Sequence, residues 1–294
     1  MSSAPETIQP GDQSPGFYLE SFGFTERPFT LVPDPTFLYW SEQHRRAFSV
    51  LEFGILSRAP ITMVTGAVGC GKTTLLRHLL KQIEPDSLVG LISNAQGGRG
   101  ELIQWVLHSL GVQFNPGDGY VTLFQVLQDF LIKTYAEGRR VILIFDEAQN
   151  LSKDSLEELR MLTNINSNKD ELIQLVLVGQ NELREIVKRP ELRQLAQRIA
   201  ASFHLRPLSE EAVHDFIVHR LRVAGGTGEE FDEKARMLVY EVSQGVPRLV
   251  NQVCDMSLLY AWSADTKTVN SKVVQAVIDD GVFFGAEIAA GEAL

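Results

Sequence analysis

Apolar residues recur along the chain in two rhythms. Nearly unbroken apolar runs occupy 61–65, 88–93, 141–145, 172–178 and 201–205. Runs without alternation fit strands buried on both faces of a parallel sheet. Between them, apolar residues return at three- and four-residue spacing, which predicts helices over 41–58, 74–83, 101–110, 121–137, 156–163, 182–188 and 191–199. Ser41 is a good cap for the first of these. Strands alternating with helices predict an α/β fold with a five-stranded parallel sheet. From Pro207 the pattern changes. Helices are expected at 210–223, 232–243, 247–264 and 271–278, with no strand signal left. The expected organisation is a disordered tail at 1–16, an α/β domain at 17–206, a small all-helical domain at 207–283 and a frayed tail at 284–294. No long linker separates the two domains, so a hinged pair is expected. The aromatic segment Phe22, Phe24, Phe29, Phe37, Tyr39 and Trp40, broken by Pro28, Pro33 and Pro35, reads as extended chain packed onto a core or walling a pocket.

The turn after the first predicted strand carries the sharpest signal. Gly66-Ala67-Val68-Gly69-Cys70-Gly71-Lys72-Thr73 has the spacing G-x-x-x-x-G-K-[ST], between a strand and a helix. Glycines let the backbone curl so that several N–H groups point inward at phosphate oxygens, and the helix N-terminus behind them adds positive potential. Gly66, Gly69, Cys70, Gly71, Lys72, Thr73 and Thr74 therefore form the expected phosphate cradle. Lys72 is placed to reach the β- and γ-phosphates, and Thr73 to hold Mg²⁺ through its hydroxyl.

Asp146-Glu147 ends the third apolar run. A phosphate-loop protein needs a carboxylate near its metal ion, which gives Asp146 the Mg²⁺ role and Glu147 that of orienting or deprotonating a water. Gln180 ends the next strand, where it either senses the γ-phosphate and aligns the water or is a plain turn residue. Arg189, Arg193 and Arg198 follow on or near helices; each is either a solvated charge or an arginine offered to a neighbouring subunit. Arg248, in Gly245-Val246-Pro247-Arg248, starts a helix from which it can reach phosphates.

Composition narrows the picture less. The chain has 294 residues, is 44% hydrophobic and carries a formal net charge of −10, which gives no global support for nucleic-acid binding. Cys70 and Cys254 are the two cysteines, too few for a disulfide framework and in keeping with a reducing compartment. No apolar run reaches membrane-spanning length, no signal pattern opens the chain, and the histidines lack zinc-ligand spacing. A cytoplasmic protein without zinc is expected.

The combination resembles AAA+ ATPases, and more finely the ExeA type, the general secretion pathway protein A family. The residues that carry the resemblance are Phe22-Gly23-Phe24, Pro28-Phe29, Pro33-Asp34-Pro35, Phe37-Leu38, Asp146-Glu147-Ala148-Gln149, Leu177-Val178-Gly179-Gln180, Leu192-Arg193-Gln194-Leu195 and Gly245-Val246-Pro247-Arg248-Leu249-Val250-Asn251. The resemblance implies Walker A at Lys72 and Thr73, Walker B at Asp146 and Glu147, sensor 1 at Gln180, sensor 2 at Arg248, and an arginine finger at Arg193 or Arg198. It implies ATP with Mg²⁺, hydrolysis to ADP and phosphate, and a ring or filament with nucleotide at the subunit interfaces. The chain is expected to be a short form without the membrane span and peptidoglycan-binding part of the secretion members. It looks like the short relatives of pilus or exopolysaccharide export systems, cytoplasmic or peripheral at the inner membrane through partners. Transposition helper ATPases, which assemble on duplex DNA, are the alternative resemblance.

Overall fold

The computed structural model describes residues 18–84, 86–93, 101–167 and 170–282. The tails expected at 1–16 and 284–294, and the glycine loop at 94–100, lie outside the described residues.

Five apolar runs become strands: β1 (Ile61–Gly66), β2 (Ser87–Ser93), β3 (Arg140–Asp146), β4 (Ile173–Gly179) and β5 (Ile199–Leu205). Among the described residues they form one parallel sheet in the order β2-β3-β4-β1-β5. Registers pair Ile61 with Leu175, Val141 with Ile173, and Leu88 with Val141. Every residue of β1 and β4 is buried, which is why these strands show no polar alternation. Their side chains still alternate between the two faces. Leu143, Phe145, Leu175 and Leu177 join one core. Ile142, Ile144, Val176 and Val178 join the other.

Helices cover both faces. On one side lie α1 (Glu42–Leu56) and α2 (Lys72–Gln82); on the other lie α3 (Glu101–Ser109), α4 (Tyr120–Ala136), α5 (Lys153–Leu162) and α6 (Asn181–Val187). Ser41 caps α1 by accepting from His44 N–H, and Ser152 caps α5 by accepting from Ser155 N–H. That second cap starts α5 three residues before its first core leucine, Leu156, where the apolar pattern alone put the start. The helix expected over 191–199 is shorter. Pro190–Leu192 is a 3₁₀ turn, Arg193–Ala196 a single helical turn, and Ile199 already belongs to β5, paired with Ile61. Pro190 fits a first helical position, and sheet pairing outweighs helical spacing at Ile199. A small antiparallel ladder, Asn166–Ser167 with Asp170–Glu171, has no counterpart in the sequence pattern.

The chain sorts into two compact units. Residues 33–208 and 246–248 form the sheet unit. Residues 18–32, 209–245 and 249–282 form the helical unit, with α7 (Glu210–Val223), α8 (Glu233–Ser243), most of α9 (Pro247–Ser263) and α10 (Ser271–Asp279). Residues 18–32 thus pack with the helices, where the sequence pattern assigned them to the α/β domain. Tyr18 and Arg27 both donate to the buried Asp255 carboxylate on α9. Thr25 N–H donates to Ala224 O at 2.8 Å. Phe29 packs edge-on against Phe231 with ring centroids 6.0 Å apart. Phe24 and Phe29 are buried core of the helical unit.

A buried amide fixes the end of α1 on the sheet. Gln174 in β4 donates through Nε2 to Gly54 O (3.2 Å) and Ile55 O (3.3 Å), carbonyls of the last helical turn that also accept from Ala59 N–H (2.8 Å) and Arg58 N–H (3.3 Å) respectively. Gln174→Leu removes both side-chain hydrogen bonds, while each carbonyl keeps its backbone donor. A loss of about 0.5–1.5 kcal/mol is expected, read as a lower urea midpoint at unchanged slope.

Candidate functional site

The loop between β1 and α2 closes around two glycines in the left-handed region, Gly69 (φ 78°) and Gly71 (φ 93°), where side chains are strained. Close neighbours add a second constraint. A Cβ at Gly69 would lie 2.7 Å from Arg248 Cβ, and one at Gly71 would lie 2.9 Å from His44 Nε2. Gly71 is the N-cap of α2, and Lys72, Thr73 and Thr74 form its first turn. Lys72 is 7% exposed and donates to Gly66 O (2.8 Å) and Ala67 O (2.9 Å). Burial pushes its ammonium below the ordinary value, against the pull of Glu147 and Asp146.

Parallel pairing brings the ends of β1, β3 and β4 to the same edge of the sheet. Thr73 Oγ1 donates to Asp146 Oδ2 at 3.3 Å, so the hydroxyl and carboxylate expected to share a metal ion converge. Asp146 is 9% exposed, and burial raises its carboxyl above the usual range, although the Glu147 N–H bonds to Oδ1 at 3.0 Å. Among the described residues no cluster of three His, Cys, Asp or Glu side chains could cage a metal. One hydroxyl and one carboxylate nonetheless suit Mg²⁺, which takes few protein oxygens and completes its shell with water and phosphate.

Glu147 has φ 56°, a left-handed backbone that costs energy in a non-glycine residue and recurs at functional sites. Its carboxylate accepts from Gln180 Nε2 at 2.9 Å and from Gln149 Nε2 at 2.5 Å. Burial acts to raise the carboxyl, but the two amides and Lys72 outweigh it, and Glu147 lies below the usual range. The sequence reading quoted Gln149 within the Asp146-Glu147-Ala148-Gln149 string but gave it no role; its partner Gln180 is 31 residues away.

Arg248 N–H donates to Gly69 O at 3.2 Å, and its side chain is exposed. The two candidate finger arginines differ. Arg198 donates to Thr163 O (3.2 Å) and to Asn164 Oδ1. Arg193 is exposed, and no hydrogen bond or ion pair of its guanidinium occurs among the described residues. Neither hydrogen-bonds to the loop or to Glu147.

His44 is a further residue that the sequence reading passed over except as part of a cap. It is 4% exposed, and its Nε2 lies 3.1 Å from Cys70 O in the loop. A carbonyl only accepts, so Nε2 carries the proton and Nδ1, 2.7 Å from Ser41 Oγ, accepts.

Comparison with known proteins agrees with this fold. The AAA domain family matches residues 55–187. The chain aligns with the Aeropyrum pernix ORC2 protein, solved as ADPNP–ADP complexes, with a TM-score of 0.64, 18% identity, and coverage of 87% of this chain and 72% of that one. Fold and loop define the class: this is an AAA+ P-loop protein, whose family binds nucleotide. Within that class the chain is of the ExeA type. It is 38% identical to general secretion pathway protein A of Aeromonas hydrophila over 84% of its length, and it spans 45% of that relative. It is also 26% identical to the Mu-like prophage FluMu DNA transposition protein B of Haemophilus influenzae, over 84% of this chain and 82% of that one.

The buried histidine gives a pH signature. Burial holds the His44 ring below its ordinary value of 6.5, against a smaller opposing pull from the Cys70 carbonyl. A depressed folded value means that its stabilisation is complete above the unfolded value and is lost as pH falls through the folded one. His204, also lowered by burial and by Arg184, acts with the same sign. His44→Gln keeps a donor for Cys70 O but cannot titrate. Its urea midpoint should fall less steeply than wild type from about pH 7 to about pH 5; equal slopes count against a neutral His44.

Proposed function

We propose that this chain binds ATP with Mg²⁺, hydrolyses it to ADP and phosphate, and works as an oligomerising switch for a cell-envelope export or assembly system. The observation that carries the reading is the meeting of Lys72, the Thr73–Asp146 pair and the Glu147–Gln180 pair at one edge of the sheet. Backbone N–H groups of 66–74 and the Lys72 ammonium bind the phosphates. Thr73 and Asp146 hold Mg²⁺, which when bound neutralises phosphate charge. Glu147, kept ionised by two amides, accepts a proton from water, and Gln180 aligns that water. Arg248 serves as the second sensor. Arg193, exposed and uncommitted, is the better candidate to act in trans on a neighbouring subunit; Arg198 is already engaged by Thr163 and Asn164.

The likeness to general secretion pathway protein A supports the envelope role. No helix among the described residues is long and apolar enough to cross a membrane. A cytoplasmic position, at the inner membrane through partners, is part of the proposal. The near full-length likeness to a DNA transposition protein supports a second reading, a helper ATPase that assembles on duplex DNA.

Lys72→Ala should abolish ATP binding by calorimetry; normal affinity removes the loop from the phosphate role. Glu147→Gln should retain ATP but lower turnover by about 100-fold or more; undiminished phosphate release removes Glu147 from catalysis. The two partner readings separate in the mass distribution of Glu147→Gln protein with Mg-ATP, with and without duplex DNA, at two salt concentrations. Assembly by ATP alone, indifferent to DNA, favours the envelope switch. Assembly that needs DNA and collapses with salt favours the transposition type, because phosphate contacts release counterions.

A further inference from the structure

We propose that Gln149 is a positioning residue for hydrolysis: its amide latches the Glu147 carboxylate to the end of β4, fixing one oxygen so that the other is left to hold the attacking water. The inference rests on the reading of Glu147 as the water-activating group.

Both ends of the amide are in use. Gln149 Oε1 accepts from Gln180 N–H at 2.9 Å, and Nε2 donates to Glu147 Oε2 at 2.5 Å. The Gln180 side chain donates to that same oxygen at 2.9 Å. This network fixes the orientation of the Gln149 amide: reversed, it would set a carbonyl against a carboxylate and an N–H against an N–H. The other carboxylate oxygen, Oε1, takes part in neither bond.

Three further features fit a latch. Gly179 is bare where the amide crosses it; a Cβ there would lie 3.0 Å from Gln149 Oε1. Gln149 sits in the 3₁₀ turn Ala148–Asn150, which buried Ala148 and Leu151 anchor on either side, so its backbone has little freedom. Glu147 itself is in the left-handed region, a strained state that persists only when its surroundings over-determine it. Two converging amides supply that determination.

The choice of an amide matters chemically. A cation at this position would pair with Glu147 and compete with a water proton for it. A neutral donor orients the carboxylate and leaves it basic. Because the far end of the latch is the backbone N–H of Gln180, the water-aligning and water-activating side chains shift together.

The test is phosphate release by the full chain for wild type, Gln149→Met, Glu147→Gln and the double variant, with single-turnover kinetics where rates are low. Methionine keeps the length of glutamine and removes the donor. We expect Gln149→Met to lower kcat by about 10- to 100-fold, the value of a lost hydrogen bond to a charged group. KM should stay within about threefold, since ATP binding is not touched. In the Glu147→Gln background the same change should alter the residual rate by less than about twofold. An equal factor in both backgrounds, or a rise in KM at unchanged kcat, overturns the latch and leaves Gln149 a structural residue. If Gln149→Met fails to fold, Gln149→Asn serves, being too short to span both partners; a wild-type kcat for it overturns the latch. Wild-type turnover that Glu147→Gln does not reduce overturns the functional reading, and the inference with it.

Discussion

The site depends on keeping one ammonium and two carboxylates charged where little water reaches them. Lys72 and Asp146 are each exposed by less than a tenth, and burial drives both toward neutrality. The chain answers with local compensation. Loop carbonyls satisfy Lys72, Thr73 and a backbone N–H bond to Asp146, and two amides hold Glu147. For the two carboxylates those bonds act against the burial. The order of the strands makes this compensation available, because β4 lies between β3, which ends in the carboxylates, and β1, which ends in the loop. Gln180 therefore leaves the sheet between the two. A different strand order would separate residues that the chemistry needs within hydrogen-bonding reach.

That arrangement explains which parts were legible in the sequence. The loop was legible because its spacing is a local geometric requirement met by eight consecutive residues. Asp146-Glu147 was legible because strand β3 is so apolar that a carboxylate pair at its end stands out. Most element types followed from periodicity, since strands buried on both faces and helices buried on one face leave different patterns. The exception at 191–199 arose where sheet pairing of Ile199 overrode a helical spacing that holds for only one turn.

The remaining features needed coordinates because they depend on residues far apart in sequence. Gln149 meets Gln180 only because β3 and β4 are neighbours. His44 looked like an interior residue of a capped helix; that it reaches Cys70 in the loop depends on how α1 lies on the sheet. Residues 18–32 adjoin the sheet unit in sequence, and the aromatic density there gave no direction. They join the helical unit through the buried Asp255, which gathers Tyr18 and Arg27, through the Thr25–Ala224 bond and through the packing of Phe29 on Phe231.

The supports of the site also differ in how much they constrain. The glycines admit their neighbours by having no side chain, so each is a condition on shape. His44 and Gln149 act through directed bonds with both ends occupied, so each is a condition on orientation as well. A loop that binds phosphate through several backbone N–H groups spreads its affinity over many contacts and tolerates small shifts. Water activation depends on one carboxylate held within hydrogen-bond reach, and it tolerates very little. The two regions are held differently: the Glu147 carboxylate receives two side-chain amides, while the loop is held through its backbone carbonyls, which accept from Lys72, the Arg248 N–H and one buried imidazole.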